Sequence, residues 1–237
     1  MAFTDQLREA ADPIWAAQHE HPFVRGIAEG SLEPRKFRHY IRQDYLFLID
    51  YARLLALGCA RAARLDDMGG FARLAEATLG SEMELHRSYA ADWGIAGADL
   101  EASYPTATTR AYTDYLLRTA TLADFGELAA ALLPCMWGYH ELAAAIADRG
   151  RPDVELYARW IDQYAGAEFA ELTDWCKALT EAAAEAGDHR RITEAFVTSS
   201  RYELAFWDAS WREEAPLNQA ESGASHAPET HRATLGA

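Results

Sequence analysis

A chain of 237 residues, half of them apolar, can bury one substantial core and needs no second domain. Its formal net charge of −15 argues against a nucleic-acid partner, whose phosphates it would repel, and favours a cationic ligand. Three cysteines, at 59, 135 and 176, without C-x-x-C spacing, argue against a disulfide scaffold and against a clustered metal site.

Alanine and leucine are abundant, prolines are few, and alternating Val/Ile/Thr runs are missing, so the expected fold is all-α. Residues 1–6 carry no basic segment leading into an apolar one, and no apolar run is long enough to span a bilayer. A cytoplasmic protein without a membrane partner is expected.

Phe3 to Gln18 reads as one amphipathic helix with its stripe at Phe3, Leu7, Ala10, Ile14 and Ala17. His21-Pro22 breaks it, and a short helix from Pro22 ends at Gly30. The longest pattern runs from Pro34 to about Arg64, then Asp66 to Gly70 reads as a turn and Phe71 to Trp93 as a helix. Ala98 to Thr108 reads as a loop, with Thr108 or Thr109 capping a helix over Arg110 to Thr119. The central pattern spans Asp124 to Ala147. Two helices separated near Ala165-Gly166 fill 153–186, and the last runs from His189 to about Glu213. No repeat or linker interrupts residues 1–214, so a single helical domain is expected there. Residues 215–237 lose periodicity and read as a disordered tail.

The central segment Leu133-Pro134-Cys135-Met136-Trp137-Gly138-Tyr139-His140 places proline and glycine where helix propensity disfavours both. Cys135 and Tyr139 share a helical face, so the cysteine is either a nucleophile in a cavity or one more buried thiol. Asp44 shares a stripe with Phe47, Leu48 and Tyr51. A carboxylate on an apolar stripe needs a partner, either a bound amine or an arginine of a neighbouring helix. Glu203 shares a face with Phe206 and Trp207, which suits proton transfer unless it turns to solvent. Tyr112, Tyr115 and Tyr164 fit a core role. His86, four residues after Glu82, fits a structural pair. The chain has no Glu-x-x-His for a di-iron bundle, no haem signature, and no phosphate-binding glycine loop.

Taken together, His21-Pro22-Phe23, Asp44-Tyr45-x-Phe47, His86 before Trp93-Gly94-Ile95, Pro105-Thr106 before Tyr112, Pro134-Cys135-x-Trp137-x-Tyr139, Tyr164 and Tyr202-Glu203-x-x-Phe206-Trp207 resemble the TenA/thiaminase II family, in its cysteine-bearing branch. The resemblance implies a haem-oxygenase-like fold without haem, no cofactor, and a homotetramer. It also implies hydrolysis of 4-amino-5-aminomethyl-2-methylpyrimidine to hydroxymethylpyrimidine for thiamin salvage, with cleavage of thiamin at the same methylene. It further implies Cys135 as nucleophile and Glu203 as proton donor. Asp44 would hold the ring's amidine edge, Phe47 and Tyr164 would sandwich the ring, and Tyr51, Tyr112 and Tyr139 would line the site. Two other readings are a non-catalytic regulator and a cofactor-using relative on the same fold. A catalytic thiol at Cys135 separates the hydrolase from both.

Overall fold

The computed structural model describes residues 1–220. In chain order the helices are α1 (Phe3–Ala10), α2 (Asp12–His19), α3 (Pro22–Glu29), α4 (Pro34–Arg61) and α5 (Leu65–Ala77). A π-helical turn (Thr78–Glu82) leads into α6 (Met83–Asp92), α7 (Gly97–Glu101), α8 (Ala107–Leu122) and α9 (Phe125–Arg149). The chain continues through α10 (Glu155–Ala165), α11 (Ala167–Ala184), α12 (His189–Arg212) and α13 (Leu217–Ala220). No strand forms among the described residues. The all-α expectation holds.

Helix α9 is the axis of the bundle. Its segment from Leu128 to Leu133 is apolar on every side and fully buried, as befits a helix surrounded by others; α12, α11, α10 and α8 pack around it. Pro134 cannot donate to the preceding turn, yet the helix runs through it unbroken. Hydroxyls from neighbouring helices gather on the carbonyls around this point: Ser199 on Ala131 at 2.6 Å, Tyr51 on Leu132 at 3.5 Å, Thr180 on Ala129 at 3.4 Å. These bonds tie α12, α4 and α11 to the helix that carries Cys135.

Four local expectations are corrected, each for a packing or backbone reason. The first helix is two, broken at Ala11 because Pro13 cannot donate within a continuous helix and sits instead in the first turn of α2. Asp66 to Gly70 is not a turn but the start of α5; a Cβ on Gly70 would lie 2.0 Å from Trp175, so this glycine permits contact with α11. The span from Phe71 to Trp93 is interrupted by the π-turn. Helix α8 starts earlier than expected, because Thr106 is its cap, with Oγ1 accepting from Thr109 N at 3.1 Å, and the loop before it holds the short α7.

Gln43 of α4 fixes the entry to α8. Its Oε1 accepts from Thr106 N and from Thr109 Oγ1, both at 2.9 Å, and its Nε2 donates to the Tyr104 carbonyl at 3.2 Å. Residues just past 214 also reach this entry, Pro216 bridging Thr106 and Leu217 N donating to the Pro105 carbonyl at 3.0 Å. The remainder of the expected tail, 221–237, lies outside the described residues.

Candidate active site

Asp44, on the inner face of α4, is only 4 % exposed, and its Oδ2 lies 2.7 Å from His86 Nε2. The other ring nitrogen, Nδ1, is 2.8 Å from the Glu82 carbonyl oxygen. A carbonyl only accepts, so Nδ1 carries a hydrogen. Burial on its own would lower the His86 pKa. The hydrogen bond and charge of Asp44, with Glu82 behind them, outweigh burial and raise it. The contact thus favours the imidazolium form of His86 beside Asp44. Asp44 has the partner its burial requires, but that partner is a histidine from α6 and not an arginine. His86 in turn pairs with Asp44 and not with the Glu82 side chain.

Glu203 of α12 is 3 % exposed, which removes the solvent-facing alternative. Tyr112 of α8 donates to its Oε1 at 2.6 Å, and Ser199, one turn earlier on α12, lies 2.9 Å from the same phenol. Burial pushes the Glu203 carboxyl up to about 8, with the Tyr112 hydrogen bond pulling it down and the Asp44 charge adding to the rise. At neutral pH this group holds a proton, the form needed by a general acid.

Cys135 of α9 lies within electrostatic reach of Glu203, Glu82 and Asp44. It keeps partial exposure although α9 is the innermost helix. Gly138, one turn on, is buried, yet a Cβ built there would meet nothing within 4 Å. The two residues share a face, so together they outline an internal hollow. Tyr139 borders it, its ring 4.9 Å from Tyr164 and 5.2 Å from Trp207. A reactive thiol calls for a lowered pKa or a nearby base. A lowered pKa is not what the structure provides: burial first, then the charges of Glu203, Glu82 and Asp44, drive the Cys135 thiol well above its ordinary value. Burial and three neighbouring acids, each ionising before the thiol, disfavour another anion there, so at neutral pH the thiol is uncharged.

Phe47 packs 5.0 Å from Tyr112 and 5.6 Å from Tyr51 on the α4 side, whereas Tyr164 belongs to the α10 side with Trp160 at 4.9 Å. Tyr51 points at α9 through its hydroxyl contact with the Leu132 carbonyl. Tyr115 takes no part in the cavity wall; its hydroxyl caps the Ala195 carbonyl at 3.0 Å. Ser199 has no role in the sequence analysis, and Glu82 figures there only as a helical partner for His86. Ser199 is one of several small polar residues on α12 and carries no pattern of its own. The Glu82–His86 spacing is visible in the sequence, but the contact between His86 and Asp44, 42 residues apart, is not.

Among the described residues no group of three or more His, Cys, Asp or Glu is arranged to hold a metal ion.

The profile of the TENA/THI-4/PQQC family matches residues 8–213. A relative from Halalkalibacterium halodurans named aminopyrimidine aminohydrolase is 44 % identical over 217 residues, covering 90 % of this chain and 97 % of its own. The solved TenA homologue from P. horikoshii superposes with a TM-score of 0.83 at 31 % identity, over 90 % of this chain and 99 % of the other. A Shewanella denitrificans domain with a heme oxygenase-like fold has a TM-score of 0.70 at 15 % identity, over 95 % and 97 % of the two chains, a likeness of fold alone. This chain belongs to the TENA/THI-4/PQQC family.

Proposed function

We propose that this enzyme hydrolyses the exocyclic C–N bond at the 5-methylene of an aminopyrimidine, converting 4-amino-5-aminomethyl-2-methylpyrimidine to hydroxymethylpyrimidine and cutting thiamin at the same methylene. What supports the reading is Cys135 within electrostatic reach of a buried, proton-bearing Glu203 and of a buried Asp44 hydrogen-bonded to His86. The name of the 44 % relative supports the same substrate class.

The hollow suits a flat, electron-poor ring. Aromatic faces come from Phe47 and Tyr164, and Asp44 accepts from the amidine edge while His86 holds its other side in place. The aminomethyl group cannot leave an intact aromatic ring easily. Glu203 gives its proton to a ring nitrogen as the Cys135 sulfur bonds to the adjacent ring carbon, and the thiol proton restores Glu203. The net step adds S–H across a C=N bond, so no free thiolate has to accumulate, in keeping with the raised thiol pKa. With aromaticity broken, the C–N electron pair leaves with the amine or with the neutral thiazole. Water then adds to the exocyclic methylene, and expulsion of the sulfur restores the ring. Tyr112, Tyr139 and Tyr51 complete the wall. The chemistry needs neither metal nor cofactor. The same reading includes a homotetramer in the cytoplasm, without nucleic-acid or membrane partners, for thiamin salvage. No helix among the described residues is long and apolar enough to cross a membrane.

Steady-state rates on the aminomethylpyrimidine, its formylated precursor and thiamin, followed by chromatography of hydroxymethylpyrimidine, test the proposal directly. The alcohol should form from at least the first. No product from any of the three overturns the reading.

Asp44→Asn gives a narrower test. Asparagine can still donate to a neutral His86 Nε2, so the fold should survive. The ring edge, however, loses a charged acceptor worth about 1.5–3 kcal/mol, and KM should rise roughly tenfold or more. Unaltered KM in a variant with a lowered Tm would make Asp44 a structural ion-pair member only.

A further inference from the structure

Glu82 is the last residue of the π-turn, and the mechanism above gives its side chain nothing to do. Its Oε1 accepts from the Tyr164 hydroxyl at 2.9 Å, and Tyr164 touches Tyr139 on the Cys135 face of α9. The same glutamate lies in a cleft of about 180 Å³ that opens to solvent between the π-turn and the junction of α10 with α11. One side chain thus lines both the outer cleft and the wall of the inner site. Both flanks of the cleft are breaks in helical regularity: the π-turn on one side and Gly166, in extended backbone, on the other. π-turns of this kind concentrate at functional sites.

The chemistry of the cleft is one-sided. Its lining includes Glu82, Asp162 and Glu168 and no lysine, arginine or histidine. It also holds an orphan: Thr78 is 1 % exposed, lines the cleft, and its Oγ1 has no hydrogen-bond partner among the described residues. A buried hydroxyl left unpaired costs free energy that a bound polar group would recover. Burial and then the Asp44 charge lift the Glu82 carboxyl to about 7, against the pull of His86 and the Tyr164 hydrogen bond. An arriving cation would favour its ionised form.

Building on the aminopyrimidine reading, we infer that this cleft is the leaving-group side of the active site and that Glu82 binds the substrate's primary ammonium there, between the Tyr164 hydroxyl and the unpaired Thr78 hydroxyl. The ammonium donates to the carboxylate while the ring lies against Cys135. When the C–N bond breaks, its electron pair goes to nitrogen and neutral ammonia departs through the cleft. Ammonia then takes up the proton released when water adds to the methylene. A thiazolium has positive charge but no N–H to donate, so Glu82 discriminates in favour of the amine.

Glu82→Gln tests this, since glutamine still accepts from Tyr164 and has nearly the same volume. For the aminomethylpyrimidine, kcat/KM should drop about 10–100-fold, the loss expected for one charge-assisted hydrogen bond. For thiamin it should change less than about threefold, and that retained turnover also shows the variant folded. Thr78→Val is the second variant: it removes the unpaired hydroxyl, so the free enzyme should melt no lower than wild type while KM for the amine rises. Equal losses on both substrates in Glu82→Gln, or no loss on the amine, would overturn the assignment while leaving the hydrolase intact. A wild-type enzyme inert toward both compounds would take down the parent reading as well.

Discussion

Cys135→Ser is expected to bind the aminopyrimidine as wild type does and to lose turnover by at least the order of 10³, because a hydroxyl is a far poorer nucleophile toward the ring carbon than sulfur. Affinity should survive because Asp44, Phe47 and Tyr164 are unchanged, and the fold should survive because serine replaces one atom with a slightly smaller one at a partly buried position. Isothermal titration and single-turnover rates on the same preparation separate binding from chemistry. Alkylation supplies an independent check on the charge state. With the thiol pushed upward by burial and by Glu203, Glu82 and Asp44, iodoacetamide should label Cys135 slowly at neutral pH. Its rate should climb about tenfold per pH unit up to pH 9, tracking the thiolate fraction. Substantial hydrolysis by Cys135→Ser would end the covalent mechanism and bring a binding role forward.

Glu203→Gln should lower turnover by about 10²–10⁴ with much smaller change in affinity, since the amide keeps the Tyr112 hydrogen bond and cannot deliver a proton. Near wild-type turnover would move the acid to Tyr112 or to water. The same variant carries a pH signature in stability. Wild-type Glu203 holds its proton in the folded state up to about pH 8, whereas the unfolded chain gives it up near the ordinary carboxylate value of 4.5. Between those two values folding takes up a proton. Wild-type stability therefore falls with rising pH by roughly 1 kcal/mol per unit from this group. Glutamine has no proton to lose. The Tm of Glu203→Gln relative to wild type should thus rise from pH 5 to pH 8 and then level off. A difference that stays flat across this range would show that Glu203 is already ionised in the fold.

What could be read from the sequence divides along a physical line. Helix existence and the inward faces of α4, α9 and α12 follow from periodicity, and with them Asp44, Cys135 and Glu203 fall on buried stripes. Interruptions are harder to read, because their causes lie elsewhere in the chain. Gly70 looks like turn chemistry until Trp175 stands against it. The π-turn has no compositional mark, and Gly80 within it meets nothing at all. Partners are harder still. The burial of Asp44 calls for a partner, and composition points equally to a bound amine or to an arginine of a neighbouring helix. Histidine supplies it because burial, which discourages His86 from charging, is outweighed by a carboxylate at 2.7 Å. The cysteine's acidity is not legible either, since it depends on how many acids α4, the π-turn and α12 bring within reach of α9.

The two nitrogens of His86 join parts of the chain that otherwise belong to different jobs, one reaching the carbonyl of Glu82 and the other the carboxylate of Asp44. The wide turn just before it holds one residue more per coil than an α-helix would. Each helical residue advances the face by about 100°, so that surplus residue sets the azimuth of everything downstream on α6. Deleting a single residue from 78–82 would leave the composition nearly untouched and swing the imidazole away from Asp44, stranding a buried anion. Insertions and deletions in this short stretch are therefore constrained far more tightly than substitutions, an uncommon condition for a segment that borders solvent.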